Sequence, residues 1–305
     1  MGLVPAGFIA IPPGQAPGFD HADVYLGRAE APRLYVAHTG ADRVDVIDCG
    51  ANAFVRSLPS HPGVAGILVD NADGLLFTSD RAAARVGVYR CRDEKLLARI
   101  RVGDRPNGLA YDARRQRLFC FNLGEPIGEN CTASVVDLAQ GDVTETIPLP
   151  GRPRWAVFDS KTDRVFANIA NPAQIVVIDP VSLRIGRVIE VPAAGPHGLW
   201  VHDGRLFCAA DGQMLVVLRS DTGALVAEIP LPGVPDVVMF DSGTGHLYVA
   251  VGDPGVVCVI DAARHALIET VPTGPGAHTI AIEPRSHTLY AFLPAAMGVS
   301  VFVDR

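Results

Sequence analysis

The chain has 305 residues, a formal net charge of -7, 49% apolar residues and 19% charged residues. That acidic balance, with no run of Lys or Arg, excludes a general nucleic-acid binder, which needs clustered cations to meet phosphate. No stretch of about 18 apolar residues is present, so no membrane-spanning helix is expected. Met1–Gly7 lacks the cationic and apolar regions of a secretory signal, so a cytoplasmic location is expected.

The first apolar segment is Phe8-Ile9-Ala10-Ile11, closed by Pro12-Pro13-Gly14. After it one phrase recurs along the chain: a polar lead-in, an apolar strand, an acidic turn, then a Leu-Phe or Leu-Tyr strand. It reads Pro106-Asn107-Gly108-Leu109-Ala110-Tyr111-Asp112 and Arg117-Leu118-Phe119, then Pro196-His197-Gly198-Leu199-Trp200 and Arg205-Leu206-Phe207. It returns as Pro235-Asp236-Val237 and His246-Leu247-Tyr248, with weaker copies near His21, Ala65, Arg154 and His278. The seven lead-in positions are His21, Ala65, Asn107, Arg154, His197, Asp236 and His278, at spacings of 44, 42, 47, 43, 39 and 42 residues. The longest spacing holds an insertion, Leu123 to Asn130.

Each repeat continues with a β-branched or alternating third strand, as in Val44–Asp48, Ile175–Asp179 and Val256–Asp261. A fourth strand carries proline, as in Thr146–Gly151 and Glu228–Gly233, which an outermost strand tolerates. Four strands per repeat of this length predict an all-β fold, a seven-bladed β-propeller of four-stranded antiparallel blades forming one domain over residues 1–305. The last repeat stops after its third strand, Val299–Val303. Its missing fourth strand is expected to be Phe8–Gly14, which would close the ring.

Phrases such as Leu34-Tyr35-Val36-Ala37-His38-Thr39-Gly40 and Leu247-Tyr248-Val249-Ala250 resemble the YVTN-type propeller repeat, over nearly the whole chain. The resemblance implies the fold and leaves the activity open. Related propellers include sugar lactonases, streptogramin-type lyases, metal-dependent lactonases and non-catalytic scaffolds.

In a propeller the innermost strands line a central channel, so the lead-in residues should ring one mouth. His197, Asp236, His278 and His21 fall on consecutive blades once the ring closes. Three imidazoles and a carboxylate suit a divalent transition metal such as Zn, Mn, Fe or Ni, or they simply bind water in a wet channel. Asp20 is the alternative inward group to His21. Arg154, across the ring, would clamp a substrate carboxylate or phosphate, or form a surface ion pair. Asn107 would orient the substrate or shape a turn.

A second polar set lies in the loop after the second strand: His38, Asp80 and Asn122, each four residues after Leu34, Leu76 and Leu118. Asp80 or His38 would serve as general base if it reaches the channel, and otherwise shapes its turn. Glu125 and Glu129 would belong to a lid or a solvated loop. Asp70, Asp112, Asp159, Asp241 and Glu283 each fall five residues after a lead-in position and are expected to cap turn amides on the opposite face. The six cysteines form no CxxC pair and are expected as buried thiols in a reducing compartment. The GxSxG, Walker and HExxH patterns are absent.

These features point to a metal-dependent hydrolase or lyase acting on a small anionic molecule, a lactone, ester or carboxylic acid, at the channel mouth. The alternative is a non-catalytic scaffold binding a protein or peptide through its rigid face. Neither nucleic acid nor membrane is an expected partner.

Overall fold

The computed structural model describes residues 2–27 and 30–305. Its strands form seven four-stranded antiparallel sheets, each built from strands consecutive in sequence except the last. This is the expected seven-bladed β-propeller. Among the described residues there is no α-helix, and two three-residue 3-10 turns, Thr39–Ala41 and Arg81–Ala83, follow the second strands of blades 1 and 2.

The recurring Leu-aromatic pair explains how the blades stack. Successive strand residues point to opposite faces, so the two members of each pair enter different interfaces. Leu34 packs toward blade 7 and Tyr35 toward blade 2. Leu76 and Phe77 repeat the arrangement one blade on, as do Leu247 and Tyr248 near the end of the chain. Seven apolar clusters result, one per interface, each with an aliphatic residue from one blade and an aromatic residue from its neighbour. The pairs are almost wholly buried. At roughly 1.5–3 kcal/mol per large apolar side chain, they dominate the stability of the ring.

The innermost strands begin at Ala22, Val64, Pro106, Pro153, Pro196, Pro235 and Thr279, and each touches the innermost strands of both neighbours. Blades 2 to 6 carry a register shift at the start of this strand. Pro106 pairs with Asn122 and Leu109 with Cys120, so one extra residue is accommodated at Asn107-Gly108. The same shift falls at Arg154-Trp155, His197-Gly198 and Asp236-Val237. Such a bulge bends the strand and re-aims a side chain. The glycine after the lead-in residue makes room for the next blade: a Cβ on Gly198 would lie 2.0 Å from the Asp236 carbonyl oxygen, and one on Gly108 would lie 2.5 Å from that of Arg154.

The closing strand is Leu3–Ala10, which pairs antiparallel with Gly298–Asp304. It starts five residues before the expected Phe8 and ends before Pro12-Pro13, which have no amide hydrogen to extend the ladder. The acidic turn residues behave as expected. Asp70 accepts from the amide of Asp73 (2.7 Å), Asp241 from Gly243 (2.8 Å) and Glu283 from Ser286 (2.9 Å).

Candidate functional site

The bulged lead-in residues and the loops after the second strands form one polar belt at a channel mouth. Arg81, at the start of the blade 2 turn, pairs with Asp20 (2.9 Å) and donates to the Asn107 side-chain oxygen. The Asn107 amide donates to the Arg154 carbonyl (3.4 Å), and the Arg154 guanidinium lies 3.0 Å from His197 Nε2. His197 Nε2 is also 3.1 Å from Asp236 Oδ1, while its Nδ1 is 3.0 Å from Asp211 Oδ1. Six of the seven blades are therefore linked through Asp20, Arg81, Asn107, Arg154, His197 and Asp236, with Asp211 beside His197.

Arg81, Arg152 and Arg154 bring three guanidinium groups to this mouth. Arg152 has its affinity for its proton lowered by burial first, then by the charges of Arg154 and Arg81. Asp211 balances part of this charge. Burial alone would raise its pKa, but the hydrogen bond from His197 and the charges of His197, Arg154 and Arg152 hold it below the usual carboxylate range. The Nε atoms of all three arginines are buried without a hydrogen-bond partner. Arg81 and Arg154 each have a carboxylate, whereas among the described residues the Arg152 guanidinium has none.

The four residues expected to hold a metal are not assembled as a ligand set. His278 Nδ1 lies 2.8 Å from the Gly276 carbonyl and its Nε2 3.0 Å from that of Phe19, so both nitrogens face backbone oxygen and the neutral ring donates to one of the two. Both nitrogens of His197 face carboxylates. His21 lies 3.4 Å from Asp20 and packs on Trp155 of blade 4, with ring centroids 4.1 Å apart. Burial is the main cause that lowers the His21 pKa, opposed by Asp20 and reinforced by Arg81. Among the described residues no three His, Cys, Asp or Glu side chains are arranged to bind an ion. A metal here would require His278 to leave its carbonyls.

His38 and Asp80 do not reach the channel. His38 is fully buried, with Nδ1 2.6 Å from Asp45, which also accepts from Arg43 (2.9 Å). Asp80 is held by His61 (2.9 Å) and Arg85 (2.8 Å), and His61 continues to the Tyr89 hydroxyl (3.0 Å). Asn122 donates to Thr132 and Ser134, each at 3.0 Å. These are networks inside blades, where buried polar groups must find partners. Glu125 is exposed and paired with Arg105.

Sequence reasoning missed Arg81, Arg152 and Asp211. Arg81 and Asp211 share one repeat position, five residues after Leu76 and Leu206, one place beyond the position chosen from the sequence. It also missed Asp23 on the inner strand of blade 1. Asp23 borders a cavity of about 480 Å³ that runs from the His21–Trp155 contact to the turns at Asn71 and Ser160 on the opposite face.

The fold is that of the seven-bladed β-propellers. No family model and no curated protein matches the chain in sequence. Among solved structures it is similar to one of Kuenenia stuttgartiensis hydrazine synthase, at a TM-score of 0.81 and 17% identity, covering 95% of this chain and 96% of that one. It is also similar to a chain of the mitotic checkpoint complex, at a TM-score of 0.82 and 12% identity, covering 99% and 92%. One neighbour comes from an enzyme and the other from a checkpoint assembly, so the likeness extends to architecture alone.

Proposed function

We propose that the channel mouth binds a small anion, a carboxylate or phosphate ester, and that His197 paired with Asp211 moves a proton on it. The observation that carries this reading is Arg152: a partly buried cation beside two others, with no carboxylate of its own. An anion placed there would relieve cation repulsion and accept charge-assisted hydrogen bonds. With Nδ1–H donating to Asp211, His197 Nε2 accepts from Arg154 beside Asp236, and it acts as a general base once a bound anion draws the Arg154 guanidinium away from it. Arg154 and Asn107 keep their expected role in positioning the ligand.

The reaction class that fits is hydrolysis or elimination on a lactone, ester or carboxylic acid. The likeness to the YVTN-type repeat, through Leu34–Gly40 and Leu247–Ala250, is compatible with that class and with others, and a cytoplasmic location accompanies this reading. The donor geometry favours acid–base chemistry over ligation of a divalent ion, since His278 is engaged by backbone carbonyls.

Calorimetry with inorganic phosphate and with succinate tests the binding. Wild-type protein is expected to bind at least one of them, and Arg152→Ala to weaken it about 10- to 100-fold, the range for losing a charged hydrogen bond. His197→Asn is expected to abolish turnover of lactone or ester substrates while keeping anion binding. Absence of binding, or an unchanged affinity in Arg152→Ala, overturns the reading. Activity lost to a chelator and restored by a divalent metal would instead support a metal centre formed by His21, His197, Asp236 and His278.

A further inference from the structure

The channel differs at its two ends. At the mouth, three guanidinium groups meet three carboxylates, those of Asp20, Asp211 and Asp236, beneath the loops. Below the His21–Trp155 contact, the cavity is walled by Trp155, Trp200 and Met239 and has Asp23 on its side. Of the lead-in residues only His21 lines it, and it opens on the opposite face among the turns at Asn71 and Ser160. Its volume, about 480 Å³, lies within the roughly 300–1,000 Å³ typical of small-molecule sites.

Asp23 is an unusual residue to find on an inner strand. One oxygen accepts from its neighbour's amide at Val24 (2.7 Å) and the other from the Val69 amide of blade 2 (2.7 Å). No cation pairs with it among the described residues. An ionised carboxylate left with two neutral donors in a largely apolar chamber is under-compensated.

We propose that this chamber binds a small organic cation, a primary amine on an aromatic or alkyl body, with its ammonium on Asp23 and its body against Trp155 and Trp200. Indole faces attract cations as well as apolar groups, and the carboxylate supplies the counter-charge. At the rim, Asp70 and Asp159 outnumber Lys161, so an approaching amine meets a net negative opening. The other polar groups facing the chamber are His21 at its inner end, Asn71 and Ser160 at the rim and Tyr111 of blade 3, none of which supplies a second cation.

The two tryptophans of the chain both line the chamber, so their emission reports its occupancy. The probe is phenethylamine, which does not absorb at the long-wavelength edge of the tryptophan band where emission is excited, with phenylacetate as the anion of matching shape. In phosphate-free buffer at pH 8, phenethylamine is expected to change tryptophan emission saturably, and phenylacetate is not. Asp23→Asn is expected to weaken the response at least tenfold. In unaltered protein the affinity should fall as pH drops through about 6, where burial has placed the Asp23 pKa. That arm tests the proposal even if the variant folds poorly. No saturable response, an equal response to phenylacetate, or no dependence on pH or on Asp23 overturns it. The result is independent of the mouth, because phosphate and succinate binding depend on Arg152 and not on Asp23.

Discussion

Asp23 shows how one residue can cost stability. Burial raises its pKa from 3.8 to about 6, against the two amide hydrogen bonds that lower it. A carboxyl whose folded-state pKa is raised favours the folded protein in its protonated form. Its ionised form therefore weakens the fold above about pH 6, and the penalty disappears as pH falls from 6 toward the unfolded value near 4. A shift of this size corresponds to about 3 kcal/mol, reduced by about 1 kcal/mol if the variant amide accepts one bond fewer. Asp23→Asn should then be more stable than wild type at pH 8 by about 2 kcal/mol, and this advantage should be lost near pH 4, where only the missing bond remains. Denaturant melts at the two pH values measure this; a destabilised variant at pH 8 would show that the carboxylate serves packing instead. Nothing in the sequence marked this residue, because its neighbours in Ala22-Asp23-Val24-Tyr25 lack the proline-containing phrase and the burial that shifts it comes from other blades.

At the scale of the strand, the bulge decides where each lead-in side chain points. Gly198 lets the Asp236 carbonyl approach, and a Cβ there would sit 2.0 Å from that oxygen. Backbone on both sides must move to admit it, which displaces Asp236 from His197. Gly198→Ala is expected to cost about 1–3 kcal/mol as overpacking and to weaken anion binding, whereas Gly186→Ala, on an outer strand with open space around its Cβ, should be close to neutral. The lead-in positions were legible from the repeat because equivalent places in successive copies occupy equivalent places in the ring. The loop positions were read one residue too early. Alternation sends His38, Asp80 and Asn122 into the blade, and the next residue, Arg81 in blade 2 and Asp211 in blade 5, turns toward the channel. A one-residue slip exchanges the two faces of a strand, and the sequence alone did not show where the strand gives way to the turn. Arg152 was overlooked for a related reason: it precedes the inner strand by one residue, outside the repeating phrase.

The molecule as a whole depends on one non-local pairing. Six blades take all four strands from consecutive sequence, and the seventh borrows Leu3–Ala10 from the other end of the chain. That strand and the residue after it bring Leu3, Ile9 and Ile11 into the clusters on both sides of blade 7, each almost fully buried. At about 2 kcal/mol each their removal forfeits about 6 kcal/mol, a large share of the 5–15 kcal/mol typical of a folded protein. It also bares the Gly298–Asp304 edge, whose unpaired amides and carbonyls would pair with another chain. Removing residues 1–11 should therefore give a protein that unfolds at lower denaturant and associates with rising concentration, as sedimentation would show. The interfaces between blades 1 to 6 contain none of the removed residues, so the truncated ring should retain a vacant strand position rather than lose its blades. A synthetic peptide of residues 2–14 should fill it by strand addition, restoring the monomer and the unfolding midpoint. An equal-length peptide with Ile9 and Ile11 changed to Asp should not, because its alternating face can no longer enter the cluster with Val24, Leu34 and Tyr290. Rescue by both peptides would mean that backbone pairing alone closes the ring, and rescue by neither would mean that closure must occur within one chain.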